Sequence, residues 1–182
     1  MIVIKTDRLI LRTWEDKDIN DYYQINQDPK VIELLRGSLT IQEVKDFISS
    51  ANQQFEKLKF TLWAVEEKAT GKLLGFTGLN MIEWDAPFSP KLEIGWRLGS
   101  EFWGKGFATE AARGALDYGF NTLGLKEVVA FTVPMNHRSI RVMEKLGMTR
   151  DVSGDFRHTK IHPDHPLSQH ILFRIKQKDF IN

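Results

Sequence analysis

Apolar residues recur along this chain with two different periods, and the switches between them mark out its elements. Across residues 6–13, Leu9 and Leu11 fall on one side and Arg8, Ile10 and Arg12 on the other, which predicts a strand. Residues 16–27 place Ile19, Tyr22, Tyr23 and Ile25 at helical spacing until Asp28-Pro29 interrupts. Thr40 and Glu43 make a capping box for a helix carrying Val44, Phe47, Ile48, Ala51 and Phe55. Residues 60–66 and Leu73–Met81 read as a hairpin turned at Thr70-Gly71, and Pro87 and Pro90 bracket the loop before the next strand. In that strand, Leu92–Leu98, Ile94, Trp96 and Leu98 alternate with Glu93, Gly95 and Arg97. From Ala108 the period lengthens: Ala111, Ala112, Ala115, Leu116 and Phe120 predict a helix ended by Gly124. Val128, Val129, Phe131 and Val133 make a mostly apolar strand over residues 127–133, as a strand covered on both faces requires. Pro134 stops it, Asn136 caps a further helix, and two strands follow at 149–156 and Gln169–Lys176.

Composition narrows the class. At 182 residues with 42% hydrophobic and 27% charged content, one soluble domain spanning 1–182 is expected. A net charge of +1 with no basic stripe argues against nucleic acid as a partner. No apolar run approaches the ~20 residues of a membrane span, and residues 1–5 run straight into a strand rather than a signal peptide. The expected location is cytoplasmic. With no cysteine there is no thiolate metal site and no cysteine nucleophile for an acyl-enzyme.

The chemistry concentrates between the strand Leu92–Leu98 and the helix after it. Gly104-Lys105-Gly106 is a short turn opening directly into a helix start. Two glycines let main-chain N–H groups converge on a ligand, and the first helical turn adds unpaired N–H groups and the positive end of its dipole. That combination is an anion site suited to phosphate. Gly99 to Lys105 also fits a Walker loop, but Gly106 stands where a magnesium-binding Ser or Thr is needed, so a P-loop nucleotide enzyme is the weaker alternative.

Trp103-Gly104-Lys105-Gly106-Phe107-Ala108 resembles the Q/R-x-x-G-x-G/A loop of the GCN5-related N-acetyltransferases (GNAT), with Trp in the Gln/Arg position as in the RimJ/RimL-like branch. A second block, Asn136, Ser139 and Glu144-Lys145-Leu146-Gly147-Met148, is similar to the family's N-x-x-S…EKLGF signature. The resemblance runs from Thr6 to about Arg174. It implies an α/β (α+β) fold with a mixed sheet of about six or seven strands and about four flanking helices. The sheet would be antiparallel on its N-terminal side, with a parallel, splayed pair at the cofactor cleft. It also implies transfer of acetyl from acetyl-CoA to an amine, a protein N-terminus or a small molecule, in a ternary complex and without metal. A module that binds acyl-CoA without turnover is the alternative. Homodimers are common in the family, and no interface is legible in this sequence.

The resemblance assigns residues as follows. Trp96, Arg97 and Leu98 offer main-chain groups to the pantetheine arm. Trp103, Gly104, Lys105, Gly106, Phe107, Ala108 and Thr109 surround the diphosphate, mostly through the backbone. Asn136 contacts the cofactor as well as capping its helix. Glu93 matches a general base, with pairing to Arg97 on the same strand face as its rival. Many relatives use a Tyr where Met143 stands to protonate the thiolate; here Ser139 takes that role. The loop Glu83-Trp84-Asp85 either lines the amine pocket, with carboxylates and a stacking ring for a cation, or folds over the sheet. His158, His162 and His165 invite a zinc reading, but their loop lacks a helical ligand frame. One of them, or Asp155, competes with Glu93 as an acceptor-side base.

Overall fold

The computed structural model describes residues 1–35, 37–88 and 90–181. Its strands are β1 (Ile2–Lys5), β2 (Leu9–Arg12), β3 (Leu62–Glu67), β4 (Leu73–Met81), β5 (Leu92–Leu98), β6 (Glu127–Thr132), β7 (Thr149–Arg157) and β8 (Gln169–Lys176). Its helices are α1 (Asp18–Ile25), α2 (Pro29–Ile32), α3 (Ile41–Leu58), α4 (Phe107–Asp117) and α5 (His137–Lys145). The strands form one mixed sheet in the order β1-β2-β3-β4-β5-β6-β8-β7. Its eighth member is the edge strand β1, which pairs antiparallel with β2 across the turn at residues 6–8.

From β1 to β5 every neighbour is antiparallel; β5 and β6 run parallel, held by the single registered pair Glu93 and Val129. Beyond that pair the two strands part, and residues 94–98 keep only β4 as a partner. An opening of this kind leaves main-chain polar groups available to a guest.

Strand alternation divides the core. Leu9, Leu11, Trp63, Val65, Leu74, Ile94 and Leu98 face α4, whose Ala111, Ala112, Ala115 and Leu116 let the helix lie close to the sheet. Ala64 and Phe76 face the other way and pack with Trp14 and Tyr22 beneath α1 and α3. Strand β6 is buried on both faces: Val128 and Ala130 join the α4 side, while Val129 lies under Ile82, Ala86 and Phe88 of the loop before β5.

Local signals explain where helices start and stop. The Asp28-Pro29 break restarts the chain as α2, with Asp28 accepting from the Lys30 amide at 2.9 Å and Pro29 in the first turn. Thr40 accepts from the Glu43 amide at 3.2 Å while Glu43 accepts from the Thr40 amide at 2.7 Å. Thr40→Ala is expected to cost about 1 kcal/mol, read as a lower urea midpoint; an unchanged midpoint would remove the cap from this account. Helix α4 does not run on to Gly124. It ends at Asp117 and passes through one π-helical turn, Tyr118–Thr122, that seats Phe120 against Phe180 at 5.3 Å.

Candidate functional site

The turn between β5 and α4 is built for backbone presentation. Gly104 and Gly106 adopt φ of 75° and 81°, the left-handed region that side chains disfavour. Gly106 is the N-cap of α4 and supplies no side-chain cap. The first helical bond is donated by Glu110 to the Gly106 carbonyl at 3.0 Å, so the amides of Phe107, Ala108 and Thr109 precede the ladder.

A brace holds this turn from behind. Arg8 donates through Nε to Glu110 Oε2 at 2.6 Å and through Nη1 to the Lys105 carbonyl at 3.0 Å. Its guanidinium also lies 4.5 Å from the Phe107 ring centroid. Burial works against the charge of Glu110, yet the Thr6 hydroxyl and the Arg8 amide and guanidinium together hold its carboxyl below the ordinary value.

The turn opens onto a cavity of about 430 Å³. Trp96, Arg97 and Leu98 line it where β5 has left β6; Trp103, Gly104, Gly106, Phe107, Ala108 and Thr109 line it at the turn; Asn136 and Ser139 line it from α5. Lys105 is not on its wall. The Lys105 ammonium stands 5.9 Å from the Phe102 ring, and its carbonyl is taken by Arg8, so its share in the turn is main chain.

Several lining residues were not singled out from the sequence. Val31, Leu34 and Leu35 make an apolar wall that no local pattern distinguishes from ordinary packing. Arg138, Arg141 and Lys145 also line the cavity, and their i, i+3, i+7 spacing was a readable sign of one shared helix face. With Lys30 and Arg97 they make five lining cations, and no Asp or Glu lines the cavity among the described residues. Arg138 stacks on Trp103 at 4.5 Å, and the Trp103 indole N–H donates to the Leu98 carbonyl at 2.9 Å. That contact links α5 to the end of β5 across the cleft.

Asn136 is fixed at both ends of its amide. Its Oδ1 accepts from the Ser139 amide at 3.2 Å and its Nδ2 donates to the Thr132 hydroxyl at 3.1 Å. Ser139 is thereby set in the first turn of α5, facing the cavity, while Met143 turns into the core at 2% exposure. Position 143 therefore contributes packing rather than a polar group.

Glu93 is half-buried and stands at the closed end of the split, away from the cavity wall. Burial pushes its carboxyl above the ordinary value, partly offset by a bond from Asn80 Nδ2 at 2.9 Å. Glu93 and Arg97 do not pair: Arg97 donates to Asn26 Oδ1 at 2.6 Å and lies 5.7 Å from the Phe76 ring. Glu83 and Asp85 are exposed, and Asp85 meets Lys91 at 3.6 Å. Trp84 stacks on His158 at 4.6 Å and meets Phe131 edge-on at 6.2 Å. Phe131 follows Val129 by two residues, so this aromatic wall rises from the same sheet face as Glu93. His158 and His170 lie 5.3 Å apart within that cluster, and among the described residues no three His, Cys, Asp or Glu gather to hold a metal ion. Nor is any described helix long and apolar enough to cross a membrane.

The family described as "Acetyltransferase (GNAT) domain" matches residues 8–149. The "Uncharacterized protein YkkB" of Bacillus subtilis (strain 168) is 37% identical over 145 residues, covering 79% of this chain and 83% of that protein. The "Uncharacterized N-acetyltransferase p20" of Bacillus licheniformis is 31% identical over 153 residues, covering 83% of this chain and 84% of that protein. A solved structure of a GNAT-family acetyltransferase from Bacillus anthracis is similar with a TM-score of 0.78 at 28% identity, covering 98% of this chain and 99% of that one.

Proposed function

Because the chain belongs to the acetyltransferase (GNAT) family, we propose that it moves an acetyl group from acetyl-CoA to a primary amine, on a protein N-terminus or a small molecule, by direct transfer. The observation that carries this reading is the left-handed glycine turn, which opens its amides onto a cavity whose lining charges, among the described residues, are all positive. Such a site fits a phosphorylated, multiply anionic donor. Placed there, the diphosphate meets the amides of residues 104–109, and an amide-bearing arm can satisfy the main chain of residues 96–98 where β6 has left it.

When bound, acetyl-CoA supplies the acetyl group as an activated thioester. The protein does the rest. Glu93 takes the proton that the attacking amine loses as the C–N bond forms, directly or through one water. Ser139, anchored through Asn136, donates a hydrogen bond to the sulfur as the C–S bond breaks. The acceptor approaches on the sheet face shared by Glu93, Trp84 and Phe131, where a carboxylate and aromatic rings suit an ammonium. This chain has no cysteine, which favours direct attack over a Cys acyl-enzyme.

The test is a thiol-release assay with acetyl-CoA and a panel of N-terminal peptides, polyamines and aminoglycosides. Release above acetyl-CoA hydrolysis with one acceptor class is expected. Tight coenzyme A binding without release on any acceptor would leave a binding module rather than an enzyme.

A further inference from the structure

Glycine weakens the middle of a strand, because ordering it costs entropy and it packs no side chain. In this sheet two glycines lie side by side, Gly78 of β4 in register with Gly95 of β5. Gly78 is required by packing, since a Cβ there would run into the Thr61 carbonyl. Gly95 is not. It is absent from the positive-φ glycines, and its Cβ would meet nothing nearer than Leu62 Cδ2 at 3.7 Å and Phe76 Cε2 at 3.9 Å. Those are ordinary contacts, so neither the strand nor its neighbours demand a bare position. A strand glycine of that kind marks a place where a ligand comes close.

The surroundings of Gly95 say what kind of ligand. Registered residues share a face of the sheet, so Leu62, Gly78 and Gly95 make one bare strip with Leu62 as its wall. On the other side, β6 runs on from the pair of Glu93 with Val129 and brings Phe131 abreast of Gly95 across the opening. Along β5 the same face carries Glu93 before the strip and Arg97 after it, each about 7 Å from Gly95 at 3.3 Å per residue. Leu62, Glu93, Gly95 and Phe131 are all half-buried, so solvent reaches the strip. Arg97 is a fixed cation, held by Asn26 Oδ1 at 2.6 Å. The result is a trough with a carboxylate at one end, apolar walls and a positive charge at the far end.

We propose that this trough is the acceptor subsite, with the amine at Glu93 and a flat apolar group lying on Gly95 between Leu62 and Phe131. Gly95 then determines specificity, because a side chain there would take the acceptor's place. The class that fits is a primary monoamine with a planar apolar body. A polyamine laid along the trough would bring its second ammonium towards Arg97, where like charges repel. The inference rests on the acetyl-transfer reading above and narrows its acceptor.

The test is thiol release at saturating acetyl-CoA with 2-phenylethylamine, methylamine, spermidine and N-terminal peptides, for the unaltered protein, Gly95→Ala and Arg97→Gln. The unaltered protein should favour 2-phenylethylamine over spermidine in kcat/KM by about tenfold or more. Gly95→Ala should raise the KM for 2-phenylethylamine by about tenfold to a hundredfold, as overfilling a packed site does. Methylamine, which ends short of Gly95, should change by less than about threefold, and coenzyme A affinity by less than about twofold. Arg97→Gln should narrow the preference for 2-phenylethylamine over spermidine, a ratio in which any change on the cofactor side cancels. Higher kcat/KM with spermidine or peptides, or an unchanged KM in folded Gly95→Ala, would overturn the trough and leave the acetyl-transfer reading intact. Equal losses on methylamine and 2-phenylethylamine would mean a general disturbance of the strand and overturn it too. If a thermal melt shows Gly95→Ala unfolded, the Arg97→Gln ratio decides, and an unchanged ratio overturns the proposal. No release with any amine or peptide would remove the acetyl-transfer reading and this inference together.

Discussion

In Glu93→Gln, turnover with the best amine is expected to fall by about a hundredfold to ten-thousandfold, with coenzyme A affinity within about twofold of the unaltered protein. The substitution keeps the shape and the bond from Asn80 but removes the proton acceptor. Deprotonated Glu93 is the active form, so turnover should rise with pH through its pKa. That limb should lie above the ordinary glutamate range of about 4.3, because burial disfavours the charge. The variant should lose this limb and keep only the one that belongs to the acceptor amine. Asn80→Ala should move it further up, since the Asn80 amide stabilises the carboxylate. Stability should shift the opposite way. A carboxyl whose folded pKa is raised favours the protonated folded state. Its cost to folding therefore grows as pH rises from the unfolded pKa to the folded one, and persists above it. Glu93→Gln should then be at least as stable as the unaltered protein at neutral pH. Full turnover in Glu93→Gln would move the base role to another group, with His158 on the same aromatic wall the next to test.

Gly106→Val is expected to weaken coenzyme A binding by about tenfold to a hundredfold. At φ of 81° a β-branched residue is strained by roughly 1–3 kcal/mol, and relief of that strain turns the amides of the first α4 turn away from their common focus. A Cβ at Gly106 would stand 3.4 Å from Arg8 Nη2, an ordinary contact, so the effect comes from the backbone rather than from a clash. The measurement is calorimetric titration of coenzyme A, alongside a thermal melt to confirm folding. Unaltered affinity in a folded Gly106→Val protein would mean that side-chain cations, not main-chain amides, hold the diphosphate.

Much of this was legible in the sequence, for physical reasons. Alternation in Leu92–Leu98 and the small residues Ala111, Ala112 and Ala115 specify a strand and a close-packed helix, and the glycines between them need positive φ. Capping at Thr40 and Asn136 is local chemistry and appears at the expected residues. What could not be read was set by tertiary contact. The Lys105 carbonyl is taken by Arg8, nearly a hundred positions earlier in the chain. Val31, Leu34 and Leu35 become cavity walls only once α2 is placed against β5 and the turn that follows it. Trp84 could be read either as a ring for a cationic ligand or as part of a loop folded over the sheet, and its stack on His158, more than seventy positions later, was not visible in the sequence. The cation row on α5 was the exception: its spacing was visible, but the helix face it occupied had no known partner until α4 and Trp103 were in position.

The most direct measurement is a crystal structure of the protein grown with coenzyme A. Diphosphate oxygens should lie about 2.7–3.2 Å from main-chain nitrogens within residues 104–109, with the pantetheine arm between β5 and β6. A diphosphate bound only by side chains, or a cleft left empty at saturating coenzyme A, would contradict the account.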